Sequence, residues 1–279
     1  MSKPQSANLE LSAVDAGARR GYRGGPVSRG WRIARTAFGY FVLGSACLWL
    51  TALLPALGLA PGARERKQMR AQRVTHAHLR GWFRLLHLLG ILRIRCSGAE
   101  RLQRPGILVV ANHPTLLDAL ALMSLMPQAD CVVKQRYYDV FLLGGPARAA
   151  GYIPSRSGPE VVAACVERLE RGRSLIIFPE GTRSPLGGLA PFQRGAAHIA
   201  LRARRGPVPV AITCSPATLY HGQPWWDVPE RRFDLDLRVG EPLAVQNLVT
   251  PDRGRGRAAR ALTEAMRDYL ERPATDVEA

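Results

Sequence analysis

The chain is poor in acidic residues and in cysteine, and both shortages are informative. Its five cysteines (Cys47, Cys96, Cys131, Cys165 and Cys214) are scattered and odd in number, with no Cys-x-x-Cys among them. No histidine pair has zinc-ligand spacing. A disulfide framework or a structural zinc site is therefore not expected, and the pattern fits a reducing compartment. There is no Gly-x-Ser-x-Gly, so no serine is set on a nucleophile elbow. Gly254-Arg255-Gly256-Arg257-Ala258-Ala259 fits a loose dinucleotide pattern, but no strand precedes it and Pro251-Asp252 reads as a helix start. His76 and His78 flank a basic stretch without metal partners and read as solvated. No internal repeat is present.

Acidic residues number 22 against 39 basic ones, for a net charge of +17. The imbalance is uneven. Residues 1–100 hold sixteen Lys or Arg against four Asp or Glu, whereas residues 101–279 hold twenty-three against eighteen. The basic excess belongs to the N-terminal third. Such a patch faces either nucleic acid or anionic lipid.

An apolar segment decides for lipid. Thr36 to Ala63 carries no charge and includes Phe38, Tyr40, Phe41, Val42, Leu43, Leu48, Trp49, Leu50, Leu53 and Leu54. Its length suits a membrane helix. The basic leader is too long and the apolar stretch too extended for a signal peptide. Pro55 and Pro61 shorten the clean helix and admit a kink or a re-entrant turn. Arg29, Arg32 and Arg35 precede the segment, and Arg64, Arg66, Lys67, Arg70 and Arg73 follow it. Basic flanks on both sides favour two cytoplasmic ends and a segment dipping into one leaflet, with a true span as the alternative.

Residues 1–30, rich in Gly, Ser and Arg, read as a disordered basic arm. Residues 31–95 read as the membrane anchor plus a basic amphipathic helix over 64–95. That helix either packs on the catalytic domain, rests on anionic lipid, or does both. Residues 96–272 read as the catalytic domain, and 273–279 as a disordered tail. Short apolar runs at Ile107–Ala111, Cys131–Val133, Leu175–Phe178, Val208–Thr213 and Leu235–Val239 predict strands. Helices are predicted at Leu116–Met126, Glu160–Arg171 and Ala258–Leu270. Ser157 and Glu160 form a capping box for the second helix, and Gly172 stops it. Strands alternating with helices predict an α/β domain with a mixed, mostly parallel sheet flanked by helices. Ligands of such sheets sit at the carboxyl ends of strands, where His113 and Glu180 both fall.

Two segments carry the chemistry. Asn112-His113-Pro114-Thr115-Leu116-Leu117-Asp118 offers an imidazole and a carboxylate. One reading is structural: Thr115 caps a helix and Asp118 is its third-position carboxylate. The other is chemical: His113 is a general base whose tautomer Asp118 fixes. The second segment is Phe178-Pro179-Glu180-Gly181-Thr182-Arg183-Ser184. Arg183 can fork onto a phosphate, and Gly181 permits a tight turn with exposed N–H groups. Glu180 either takes substrate hydroxyls or braces the arginine. An ordinary surface turn is the alternative.

These two blocks, in this order and spacing, closely resemble the lysophosphatidic acid acyltransferase (1-acyl-glycerol-3-phosphate acyltransferase) family, of bacterial type. Phe192 and Gly195 match a further Phe-x-x-Gly, and Val208-Pro209-Val210 a late strand; the similarity covers roughly residues 80–245. The resemblance implies the glycerolipid acyltransferase fold and an acyl thioester donor, either acyl-CoA or acyl carrier protein. It implies a lysophospholipid acceptor, phospholipid biosynthesis at the cytoplasmic face of the inner membrane, and direct attack without a covalent acyl-enzyme. His113 and Asp118 become the catalytic pair, and Glu180, Gly181, Thr182 and Arg183 the acceptor-binding set. It implies no cofactor, no metal and no nucleic acid. The family's Phe-Ile-x-Arg block reads here Gly151-Tyr152-Ile153-Pro154-Ser155-Arg156. Arg156 is either that block's phosphate-binding arginine or a solvated loop residue. Tyr220-His221-Gly222-Gln223-Pro224-Trp225-Trp226 also departs from the common pattern; it either shapes a different pocket or caps the sheet edge. Two alternatives follow: the same chemistry on another lyso-lipid or a hydroxylated lipid, or a non-catalytic basic membrane-binding protein.

Overall fold

A computed structural model describes residues 29–59, 63–155, 158–245 and 254–272, with 54–59 and 141–143 as backbone alone. The arm, the tail, Arg156 and Ser157 lie outside the described residues, apart from Arg29 and Gly30 at the end of the arm.

The chain opens with helices α1 (Arg29–Leu59) and α2 (Arg64–Leu88), then strand β1 (Leu92–Ser97) and a 3-10 turn at Ala99–Gln103. There follow β2 (Leu108–Ala111), α3 (Asp118–Leu125), β3 (Asp130–Lys134), α4 (Gln135–Asp139), α5 (Phe141–Ala150) and β4 (Ile153–Ser155). The chain continues through α6 (Pro159–Glu170), β5 (Leu175–Ile177), α7 (Gly195–Ala203), β6 (Pro207–Ser215), β7 (Phe233–Val239) and α8 (Arg255–Glu271). The sheet runs β1-β7-β6-β2-β5-β3-β4, parallel throughout except for the antiparallel β6–β7 pair. The expected mixed, mostly parallel sheet flanked by helices is what forms.

Strand position explains strand sequence. Central β2 and β5 are apolar throughout and fully buried, as strands covered on both faces must be. Val109 and Ala111 of β2 face a core with α2 and α3, while Leu108 and Val110 face α6, α7 and α8. Nearer the edge, β7 alternates: Phe233, Leu235, Leu237 and Val239 are buried between half-exposed Asp234, Asp236 and Arg238. Arg93 lies opposite Asp234 on β1 and bonds it at 3.0 Å, a cross-strand pair that fixes register.

One boundary differs from the sequence expectation. Helix α3 begins at Asp118, because the chain from Thr115 to Leu117 is a turn. Helix α6 is entered through Gly158 with Pro159 in its first turn; Ser157 of the expected capping box lies outside the described residues.

The two N-terminal helices are built into this body. Leu79, Trp82, Phe83 and Leu86 of α2 belong to the same core as the sheet. The Trp82 indole donates to the Gly39 carbonyl of α1 at 2.8 Å. A Cβ at Gly39 would lie 2.6 Å from a Leu86 methyl, so a side chain there would push Leu86 aside. Farther along, Thr51 of α1 packs against Gly145 of α5. Over Arg29–Leu53, α1 is by length and composition the one helix among the described residues able to cross a membrane. Its outer face exposes Trp31, Phe38, Phe41, Leu48, Trp49 and Leu53.

Candidate active site

The site forms where β2 and β5 end. Asn112, at the tip of β2, is buried and pins the strand end to β6: its amide donates to the Ile212 carbonyl at 2.8 Å and accepts from the Ile212 N–H at 2.7 Å. The next residue is His113. From there the chain leaves the sheet and turns through Thr115 into α3.

Asp118, 0% exposed, organises that turn. Its Oδ2 accepts from His113 Nδ1 at 2.7 Å and from the Thr115 N–H at 2.6 Å. Its Oδ1 accepts from the Thr115 hydroxyl at 2.6 Å, and that hydroxyl in turn accepts from the Leu117 N–H. Asp118 is the first residue of α3, which has no side-chain cap, so Thr115 lies in the turn before the helix and is not its cap. The one carboxylate closes that turn and holds the imidazole. Burial pushes the Asp118 carboxyl above its ordinary value, and the hydrogen bonds from His113 and Thr115 only partly bring it back. In a neutral imidazole, an Nδ1 that donates to a carboxylate leaves the lone pair on Nε2. The His113 side chain is 21% exposed, so that nitrogen has a path to solvent or substrate.

The second block clamps the first. Glu180, at the end of β5, is buried. Its Oε1 accepts from the His113 N–H at 3.1 Å and from the Ser184 hydroxyl at 2.6 Å; its Oε2 accepts from the Ala190 N–H at 2.7 Å. Ser184 Oγ also takes the His113 N–H at 3.2 Å, while its own N–H donates to the His113 carbonyl at 2.8 Å. The main chain of His113 is therefore held at both its donor and its acceptor. Phe178 stacks on the imidazole, with centroids 4.5 Å apart and planes 27° apart. Backbone and ring of His113 are both located before any substrate arrives.

Gly181 adopts φ of +64°, and a Cβ there would meet Gln193, so the turn needs glycine. Its N–H bonds the Phe178 carbonyl at 3.0 Å and closes the turn inward. Thr182 is half-buried in the same turn. Arg183 points away from Glu180: its Nη1 donates to the carbonyls of Leu219 at 3.0 Å and Tyr220 at 2.9 Å. His113, Asp118 and Glu180 are brought together, whereas Arg183 anchors the segment beyond β6. Asn112, Phe178 and Ser184 complete the arrangement. All three stand inside the two motif blocks, but only their contacts reveal what they do.

A small, partly open cavity of about 30 Å³ begins beside this site. It does not open on His113 itself. It starts at Leu117, next to Asp118, and runs between α1, α2, β1 and the chain from Thr218 to Phe233. Its walls are mainly apolar, with Arg32, Arg35 and Arg231 among them. Among the described residues no cluster of His, Cys, Asp and Glu could hold a metal ion.

Known proteins share this chain's sequence and fold. Residues 93–213 match the family model described as Acyltransferase. The 1-acyl-sn-glycerol-3-phosphate acyltransferase of Saccharomyces cerevisiae is 30% identical over 217 residues, 74% of this chain and 68% of that protein. The human 1-acyl-sn-glycerol-3-phosphate acyltransferase beta is 34% identical over 146 residues, 48% of this chain and 51% of that one. The Cocos nucifera protein of the same name is 33% identical over 111 residues, 37% of this chain. The chain spans only 36% of that plant relative's length. The crystal structure of the 1-acyl-sn-glycerophosphate acyltransferase PlsC from Thermotoga maritima has the same fold, with a TM-score of 0.67 at 19% identity, covering 88% of this chain and 100% of that one. The chain belongs to the 1-acyl-sn-glycerol-3-phosphate acyltransferase family.

Proposed function

We propose that this protein transfers a fatty acyl group from a thioester, acyl-CoA or acyl carrier protein, to the free hydroxyl of lysophosphatidic acid, giving phosphatidic acid. The observation that carries the reading is the 2.7 Å contact between His113 and buried Asp118 at the carboxyl end of β2. Nε2 of His113 takes the acceptor's hydroxyl proton as the oxygen attacks the thioester carbonyl. Asp118 keeps the imidazole in the required tautomer and stabilises the imidazolium. The tetrahedral intermediate then collapses: the carbon–sulfur bond breaks, and the leaving thiolate takes the proton from His113. Glu180, Gly181 and Thr182 shape the acceptor side by fixing the loop that carries the base. Arg183 binds the acceptor's anionic head through guanidinium nitrogens other than Nη1.

The acceptor resides in a membrane. Alpha-1 lies in the interface of one leaflet, with its aromatic face in lipid and its other faces against α2 and α5. This arrangement suits the packing at Gly39 and Thr51, because a helix flanked by a folded domain along its length leaves no room for a surrounding bilayer. The basic N-terminal third supports a cytoplasmic side for the catalytic domain.

One observation favours a second acceptor. Nη1 of Arg183 is taken by two carbonyls, which leaves less of the guanidinium for a phosphate. An uncharged or differently charged lyso-lipid would use the same base. The test is ester formation by purified protein from labelled acyl-CoA or acyl carrier protein, offered lysophosphatidic acid or an uncharged lyso-lipid. Transfer to lysophosphatidic acid that falls about 10³-fold in His113→Ala supports the first reading. Transfer only to the uncharged acceptor supports the second. Absence of transfer from folded protein removes both.

A further inference from the structure

Trp225 and Trp226 stand side by side on the surface, 42% and 52% exposed, with rings perpendicular and centroids 5.7 Å apart. Two adjacent indoles left in water are an unusual expense for a loop, since each buries 150–250 Å² of ring when it finds a partner (about that much in typical cores). The loop that carries them is well braced. The Gln223 side chain accepts from the Leu219 N–H and donates to both the carbonyl and the carboxylate of Asp227. The Asp227 N–H donates to the Pro224 carbonyl at 3.1 Å. Arg183 holds the start of the loop at Leu219 and Tyr220. The exposure of the indoles is therefore imposed by the fold.

Their position is equally defined. The edge of Trp225 meets Tyr40 of α1 at a centroid distance of 6.1 Å. Tyr40 lies about one turn into the apolar stretch of α1 that begins at Thr36, just past Arg32 and Arg35, and the outer face there exposes Trp31, Phe38 and Phe41. A loop touching that end of the stretch sits at the same depth as the boundary between its basic and apolar residues. Arg32 and Arg35 of α1 and Arg231 and Arg232 beyond the loop outnumber Asp227 and Glu230, and Asp227 is already engaged by Gln223. Indoles at head-group level with arginines around them are the pattern that lipid interfaces select.

We infer that Tyr220–Trp226 is a second lipid-contacting foot, seating its paired indoles among the head groups of an anionic bilayer beside α1. The inference shares with the proposed function only the membrane setting, and its test needs no acyl transfer. Full-length protein carrying Trp31→Phe and Trp49→Phe keeps three tryptophans: buried Trp82, Trp225 and Trp226. It is bound to phosphatidylglycerol–phosphatidylethanolamine vesicles, with or without bromine on the acyl chains. Emission falls about twofold in brominated vesicles and resists aqueous iodide, as for indoles at the head-group boundary. Adding Trp225→Phe and Trp226→Phe abolishes the bromine effect. Emission that ignores bromine overturns the inference, whether the indoles remain open to iodide, as in a solvated loop, or are shielded from it, as under a protein partner.

Discussion

At the carboxyl end of the sheet Asp118 meets a histidine that reaches the surface; at the opposite end Asp130 meets an arginine that does not. Both carboxylates are 0% exposed. Asp130 opens β3 and receives Arg173 through two of its nitrogens, with Gln72 of α2 adding a bond at 2.9 Å. Arg173 also donates to Gln68 of α2 at 3.0 Å. Every oxygen of Asp130 faces a donor that nothing displaces, so this network can only rivet α2 to the sheet. Asp118 is just as well supplied, but one of its donors is an imidazole whose far nitrogen is open. The same burial yields a fixed joint in one place and, in the other, a carboxylate joined to an imidazole that still reaches the surface. The difference is the partner's second functional atom.

That contrast can be broken from either side. The largest expected effect is on the Asp130 joint. Asp130→Asn places an amide N–H against the guanidinium, and Arg173→Met strands the carboxylate. Each should cost about 3–5 kcal/mol, and the double variant should be more stable than either single one. Urea denaturation of the three proteins checks this ordering. The folded fraction of each should keep normal acyl transfer, because the joint lies at the far end of the sheet.

Glu180→Gln comes next. It turns a carboxylate that accepts three hydrogen bonds into an amide that opposes one of them, at roughly 1–3 kcal/mol. Thermal melts should show the loss. Turnover should fall as well, because the loop that clamps the His113 main chain loosens where Glu180 holds the Ala190 N–H; unchanged turnover would separate Glu180 from the site.

The smallest effect is chemical. Burial and the Asp130 charge push the Cys131 and Cys165 thiols up to about 12. A thiol reagent at roughly pH 8 should leave both unmodified in the folded protein and label both once urea is added. Mass spectrometry of the digested protein reads the outcome.

The same contrast explains what the sequence made legible. Apolar runs mark β2, β5 and the first six residues of β6, since a strand covered on both faces must be apolar where it is covered. His113 and Asp118 stand five residues apart, and a turn into a helix is local enough to bring them together. Asp130 and Arg173 gave no signal, because 43 residues and a strand crossover separate them. Helix α5 was hidden by Pro146 in its interior, a residue that ordinarily ends a helix. The motif around Glu180 named its residues without their directions. Glu180 turns inward onto the His113 backbone and Arg183 outward onto Leu219 and Tyr220, and only the packed turn decides that. The phosphate-binding role considered for Arg156 falls outside the described residues.

Whether Asp118 acts through His113 is tested most directly by Asp118→Asn, which disturbs the structure little. The amide oxygen can keep the Thr115 N–H and the amide nitrogen can donate to the Thr115 hydroxyl, so the turn survives. Acyl transfer and thermal unfolding would be measured on the same preparation. If Asp118 acts through His113, turnover falls by about 10²-fold or more, at an unfolding temperature within a few degrees of wild type. Turnover equal to wild type in that folded variant would show that Asp118 does not act through His113.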